Sequence, residues 1–145
     1  MKLTLICIGK NNSKSFDSEI KKYHKRINAY LNFSIKYFNN SKLLDKKVNG
    51  LIKKKCVCFL LDEKGAEYNS LKFSYFIKKK INSGIKNLIF IIGDHSGFSK
   101  LINENFKNKI SLSKMTFSHQ MIRLFFCEQL YRAFTIINNH PYHNN

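Results

Sequence analysis

A chain of 145 residues is one domain by length, large enough to bury roughly 70% of the surface its unfolded form exposes without a staple. Its 26 Lys and Arg against nine Asp and Glu give a formal charge of +17, which concentrates polyanions at the surface and points to nucleic acid, with an anionic membrane surface or plain solubility as the alternatives. Four cysteines inside apolar runs argue against a disulfide framework and for buried free thiols in a reducing compartment; the opening MKLTLICIG is too short for a secretory leader and nothing approaches a membrane span, so a cytoplasmic protein is expected.

Leu3 to Ile8 is a continuous apolar run closed by Gly9, which predicts a buried parallel strand. Ser15 is placed to cap a helix whose Phe16, Ile20, Tyr23, Ile27 and Leu31 recur at helical spacing. Phe33, Ile35 and Tyr37 alternate with polar neighbours, as in a strand near an edge, and a short basic helix follows over Leu43 to Lys54. Cys56 to Leu61 predicts the third strand, then Asp62 to Asn69 a polar loop containing Gly65. The next helix has Leu71, Tyr75, Phe76 and Ile81 as its inward face and stops near Ser83 and Gly84. NLIFIIG, Asn87 to Gly93, is the most apolar strand. A loop DHSGFS, a weak helical turn around Leu101 to Phe106 and a short strand at Ile110 to Leu112 lead to a long helix capped by Ser118 and ending near Asn138. Strands alternating with helices predict an α/β fold, a mostly parallel sheet with helices on both faces, in a single domain over 1–145.

In such sheets ligands bind beyond the carboxyl ends of the strands, which selects three loops: Asp62 to Gly65, Gly93 to Ser99 and Ser113 to Phe117. Gly93 and Gly97 match neither a dinucleotide fingerprint nor a P-loop. Leu112 to Phe117 alternates Leu112, Met115 and Phe117 with Ser113, Lys114 and Thr116; it suits either an apolar pocket with a few placed polar groups or a strand end anchored in the core. Arginine is informative here, because 23 of the basic residues are lysines and 17 residues are asparagines, a sign of drift toward Lys and Asn codons. Arg123 and Arg132 therefore suggest work for a planar guanidinium: phosphate recognition for Arg123, a local ion pair with Glu128 worth ~0.3–0.5 kcal/mol for Arg132. On the long helix Ile122, Phe126, Ala133 and Ile137 form an apolar face and Glu128, Arg132 and Thr135 a narrow polar one. His24 and His95 are taken as surface residues.

LSKMTFSHQMIR at 112–123, EQLYRAF at 128–134 and NHPYH at 139–143 together resemble the C-terminal signature of the ribosomal RNA large subunit methyltransferase H family, small knotted enzymes of the SPOUT class. The resemblance implies a C-terminal trefoil knot, a homodimer, and S-adenosylmethionine bound by Leu61, Gly93 and the loop Leu112, Ser113, Lys114, Met115, Thr116 and Phe117. It also implies methylation of N3 of a pseudouridine in large-subunit rRNA, in the hairpin called helix 69, on the assembled ribosome. Tyr142 and His143 match the family's terminal Tyr-His and become, with Arg123, the candidates for catalysis, His143 for the proton of the base and Tyr142 for stacking on it. Asp94 stands where the family's methyl-donor loop usually has a second glycine, and Asp tolerates a left-handed conformation better than most residues. The segment from Phe38 to Cys56 is about a dozen residues shorter than in typical members. Two rivals stand beside this reading: a non-catalytic RNA-binding protein of the same fold, and a metal-dependent hydrolase using Asp62, Asp94, His95 and His119.

Overall fold

The computed structural model describes residues 1–9 and 13–144, so that Asn145 of the tail lies outside the described residues. Ten elements alternate: β1 (Lys2–Ile8), α1 (Lys14–Ile27), β2 (Asn32–Phe38), α2 (Ser41–Lys53), β3 (Val57–Glu67), α3 (Ser70–Asn82), β4 (Asn87–Ile92), α4 (Lys100–Asn105), β5 (Lys109–Ser111) and α5 (His119–Ile137). The strands form one sheet in the order β2-β1-β4-β3-β5, and every pairing in it is parallel. β2 is an edge, as its alternating pattern predicts, whereas β1 after Lys2 and β4 after Asn87 are buried along their whole length, and all but Thr4 of those residues are apolar, because both of their faces are covered.

Alternate residues of each strand feed two cores. Leu3, Leu5, Leu88 and Phe90 pack with Ile20 and Ile27 of α1, Phe73 and Ile77 of α3, and Phe126 and Leu130 of α5. On the opposite face Ile6, Ile8, Ile89 and Ile91 meet Leu44 and Val48 of α2 and Ile102 of α4. Cys7, Cys58 and Cys127 are buried in these layers and none is oxidised; burial pushes the Cys7 and Cys58 thiols up to about 12, so they pack as small apolar groups.

Several local expectations give way. α1 is capped by Ser13, whose side chain accepts from the Phe16 amide, and it ends at Ile27, before Leu31. In α3 the sheet receives Phe73 and Ile77, leaving Leu71, Tyr75 and Ile81 exposed; both sets obey helical spacing, and only the position of α5 selects between them. Thr135 is fully buried, its hydroxyl donating to the Arg132 carbonyl, so the polar strip of α5 is narrower than its sequence suggests. β3 outlasts its apolar run. After Leu61 pairs with Ile110, the segment Asp62 to Gly65 bulges out and the ladder resumes at Ala66. Gly65 lies flat on β5: a Cβ there would stand 2.6 Å from the Ile110 nitrogen and the Lys109 carbonyl carbon.

Candidate active site

The carboxyl ends of β3, β4 and β5 open into a cleft of about 590 Å³. The three loops selected by the sequence converge on it. Leu61, Gly93, Leu112, Ser113, Met115, Thr116 and Phe117 all line it, joined by Asp62, Glu63, His119 and Ile122. Lys114 does not: its side chain is 80% exposed and pairs with Glu67 at 3.9 Å, because the residue at the crest of a turn points outward.

Each loop is held by a short polar contact. In the loop after β5, Ser111 Oγ donates to the Ser113 carbonyl at 2.8 Å and Ser113 Oγ accepts from the Met115 amide at 3.0 Å. Thr116 donates to Glu63 at 2.7 Å, which ties this loop to the bulge of β3. After β4 the turn closes with the Gly97 amide on the Asp94 carbonyl at 2.9 Å, and the Asp94 carboxylate accepts from the Ser96 amide and hydroxyl. The left-handed residue of this turn is Gly97, at φ 79°, not Asp94. Gly93 is required for another reason. A Cβ on it would meet the Gly97 carbonyl oxygen at 3.0 Å. We expect Gly93→Ala to displace the turn and weaken a cleft ligand about tenfold or more with a much smaller loss of stability, checked by calorimetric titration beside a thermal melt.

The cleft has apolar walls from Leu61, Leu112, Phe117 and Ile122 and a rim of carboxylates, Asp62, Glu63 and Asp94. Burial pushes the Asp94 carboxyl up, but the Ser96 hydrogen bonds and the nearby His95 and His119 outweigh it and hold it below its ordinary value. Asp62 behaves alike, held down by the Lys64 amide and by Lys109 at 3.1 Å. Burial and the Arg123 guanidinium push His119 down, so the neutral ring is favoured. Among the described residues no group of three or more His, Cys, Asp or Glu stands close enough together to hold a metal ion, so the four residues of the hydrolase reading do not form one centre. In the sequence Ile122 was read only as part of an apolar helix face and Glu63 only as one residue of the loop Asp62 to Gly65; the bulge that aims Glu63 at Thr116 depends on the β3 to β5 register.

Arg123 departs from its expected role. It is 1% exposed, it donates to the carbonyls of Ile8 at 2.8 Å and Gly9 at 3.3 Å, and its guanidinium stacks 5.5 Å from the Tyr37 ring. It clamps the end of β1 from beneath the surface instead of presenting its charge to a phosphate, since its place in the helix turns it to the sheet and not to the cleft.

The tail is docked, but far from this cleft in the same chain. Tyr142 donates to Glu128 at 3.1 Å, packs edge-on against Tyr131 and lies under Arg132, which also holds Glu128 at 2.6 Å. Arg132 Nη1 stands 3.1 Å from His143 Nδ1. A guanidinium only donates, so Nδ1 accepts and the His143 proton sits on Nε2. From His119 at the cleft to Arg132 the helix rises about 20 Å. Tyr142 and His143 are therefore not brought to the cleft by their own chain.

Chain-wide similarity identifies the machinery. The family model described as "Predicted SPOUT methyltransferase" matches residues 1–143. The chain belongs to the SPOUT methyltransferase family. It is 43% identical to the ribosomal RNA large subunit methyltransferase H of Christiangramia forsetii and 45% identical to that of Flavobacterium psychrophilum, in both cases over 99% of each chain. These alignments run to 156 positions, so about a dozen have no counterpart in the 145 residues here. In three dimensions the chain is similar to the TrmH/SpoU tRNA modifying enzyme of A. aeolicus, with a TM-score of 0.54 at 10% identity over 96% of this chain and 78% of that one. A putative RNA methyltransferase of the TrmH family from Porphyromonas gingivalis gives 0.53 at 10% identity, over 89% and 59%. The two structural neighbours share the α/β fold with its parallel sheet. This SPOUT methyltransferase carries its cleft at the strand ends and has, among the described residues, no helix long and apolar enough to cross a membrane.

Proposed function

We propose that this SPOUT methyltransferase transfers a methyl group from S-adenosylmethionine to N3 of a pseudouridine in helix 69 of large-subunit rRNA, on assembled ribosomes in the cytoplasm. The observation that carries the donor is the cleft itself. Apolar walls suit an adenine, Leu112, Ser113, Met115, Thr116 and Phe117 of one loop line the cleft, and the carboxylate rim favours a cationic ligand over an anionic one. When bound, S-adenosylmethionine supplies an already activated methyl on a sulfonium, leaving as the thioether once the methyl is transferred. The protein then has to align the base nitrogen with that methyl and receive the imide proton. The choice of rRNA as substrate rests on full-length relatives at 39–45% identity that are named ribosomal RNA large subunit methyltransferase H.

The distant tail makes a homodimer part of this reading. Met115 at 72% exposure, Met121 and Phe125 form an apolar face beside the cleft, Phe117 meeting Phe125 edge-on. A second copy seated there covers this face and brings its Tyr142 and His143 to the cleft, and the closing helix threads the family's knot. His143 accepts the proton only after it leaves Arg132, since its free nitrogen otherwise bears hydrogen. Incubating ribosomes that lack the modification with labelled S-adenosylmethionine should put label in N3-methylpseudouridine; label on another nucleoside overturns the target, and no heat of donor binding leaves only an RNA-binding protein. His143→Ala should lower turnover about a hundredfold with donor affinity kept, and equal turnover removes that residue from the chemistry.

A further inference from the structure

The cleft is rimmed by carboxylates, an unfavourable face for a polyanion, and the charges of this molecule are segregated. All five strands are parallel; β1 to β4 start at one edge of the sheet, where α1, α2, α3 and α5 end, whereas β5 starts higher, with Lys109 opposite Leu60. The turns at that edge contain none of the nine Asp and Glu residues: His24 to Asn32, Leu51 to Val57 and Lys78 to Asn87 carry none, nor does the chain end after Phe134. They hold instead Lys25 and Arg26 at the end of α1, Lys53 to Lys55 at and just beyond the end of α2, and Lys78 to Lys80 on α3. Lys86 and Lys2 complete the edge, the Lys2 amide donating to the Lys86 carbonyl at 2.8 Å.

Cations in the last turn of a helix offset its dipole, which accounts for some of these residues but not for Lys2, Lys55 or Lys86, which lie outside helical turns. Lys55 even adopts a left-handed φ of 50°, where α3 uses Gly84 at 77°, so three consecutive lysines are kept at a turn that glycine would relax. Codon drift multiplies lysines everywhere; it does not clear one pole of acids. At the cleft pole, by contrast, Lys109 and Lys114 are each paired with a carboxylate. The basic pole also has an aromatic. Tyr75, 67% exposed, stands with Lys78, Lys79, Asn82 and Ser83 around a shallow groove of about 500 Å³ on the outer side of α3.

We infer that the amino edge of the sheet is an RNA-docking surface separate from the methyl-transfer cleft, its lysines holding phosphates and Tyr75 stacking on an unpaired base. The RNA is taken to be the substrate of the proposed function, and in that respect alone the inference rests on it. It explains how a small domain with an acidic cleft rim holds a large polyanion: within one chain grip and chemistry occupy opposite poles, and the tail that a second copy brings to the cleft leaves from that copy's basic pole.

The test compares the triple variant Lys54→Glu, Lys79→Glu, Lys86→Glu with an equal charge change elsewhere, Lys42→Glu, Lys100→Glu, Lys107→Glu. The probe is a fluorescein-labelled RNA stem-loop, titrated without donor over a range of salt. The pole variant should lose affinity at least about tenfold and about two to three units of salt slope, the other variant about one unit or less. Equal losses overturn the inference, as does pole-dependent binding of anionic phosphatidylserine vesicles that exceeds binding of the RNA. Tyr75→Ala should weaken the stem-loop about fivefold or more while heparin binding is unchanged, and Tyr75→Phe should restore it; no loss removes Tyr75 from the surface. Donor calorimetry on each variant separates the two claims, because a failed pole leaves donor binding intact and a failed methyl-transfer reading leaves the salt slopes intact.

Discussion

Gly65→Ala should cost about 3 kcal/mol of stability, a fall of ~10 °C in Tm for a domain of this size, although the position lies in a polar bulge on the surface. The cause is contact with backbone. A methyl group there would sit 2.6 Å from the Ile110 nitrogen and 2.7 Å from its carbonyl carbon, and neither is the flexible end of a side chain. β5 would have to move off β3, and the loop that follows it is the wall of the cleft. Donor affinity should therefore fall together with stability, in contrast to Gly93→Ala. Circular dichroism melts of the two variants beside calorimetric titrations check the pair, and a Gly65→Ala protein as stable as the parent would show that β5 is not pinned at this point.

Arg123→Ala should destabilise the domain by about 3 kcal/mol or more, measured by urea unfolding. Truncation removes the donors that meet the carbonyls of Ile8 and Gly9, opens a void beside Tyr37, and frees the end of β1 next to the sheet centre. Arg123→Lys should recover only part of the loss, because an ammonium at the end of a flexible stem does not reproduce the planar fork. If Arg123→Ala unfolds at the parent's urea concentration and instead weakens RNA binding, the guanidinium faces phosphate and the buried clamp is wrong.

These two residues mark how far the sequence could be followed. Both are visible in it as exceptions, a glycine in a polar loop and an arginine in a lysine-rich chain, and in each case the role came from a partner distant in sequence. Arg123 reaches across 115 positions to Ile8. The three loops of the cleft, by contrast, were legible because a parallel α/β sheet puts its ligand loops at the strand ends whatever the register. The inward face of α3 was not, since Leu71 with Tyr75 and Phe73 with Ile77 satisfy the same helical period and only the packed position of α5 prefers the second. Tyr142 and His143 were marked by the tail motif, while their docking on Glu128 and Arg132, about 20 Å from the cleft, depends on how the chain turns after Asn138.

Apolar periodicity determined by itself the order of strands and helices, the parallel sheet and the two buried layers, because burial of such runs on both faces leaves few other arrangements. Tertiary structure alone decided which charges gather where. The carboxylates around the cleft and the lysines at the far edge each come from turns separated by tens of residues, and each set gathers at its own pole only because every strand points the same way.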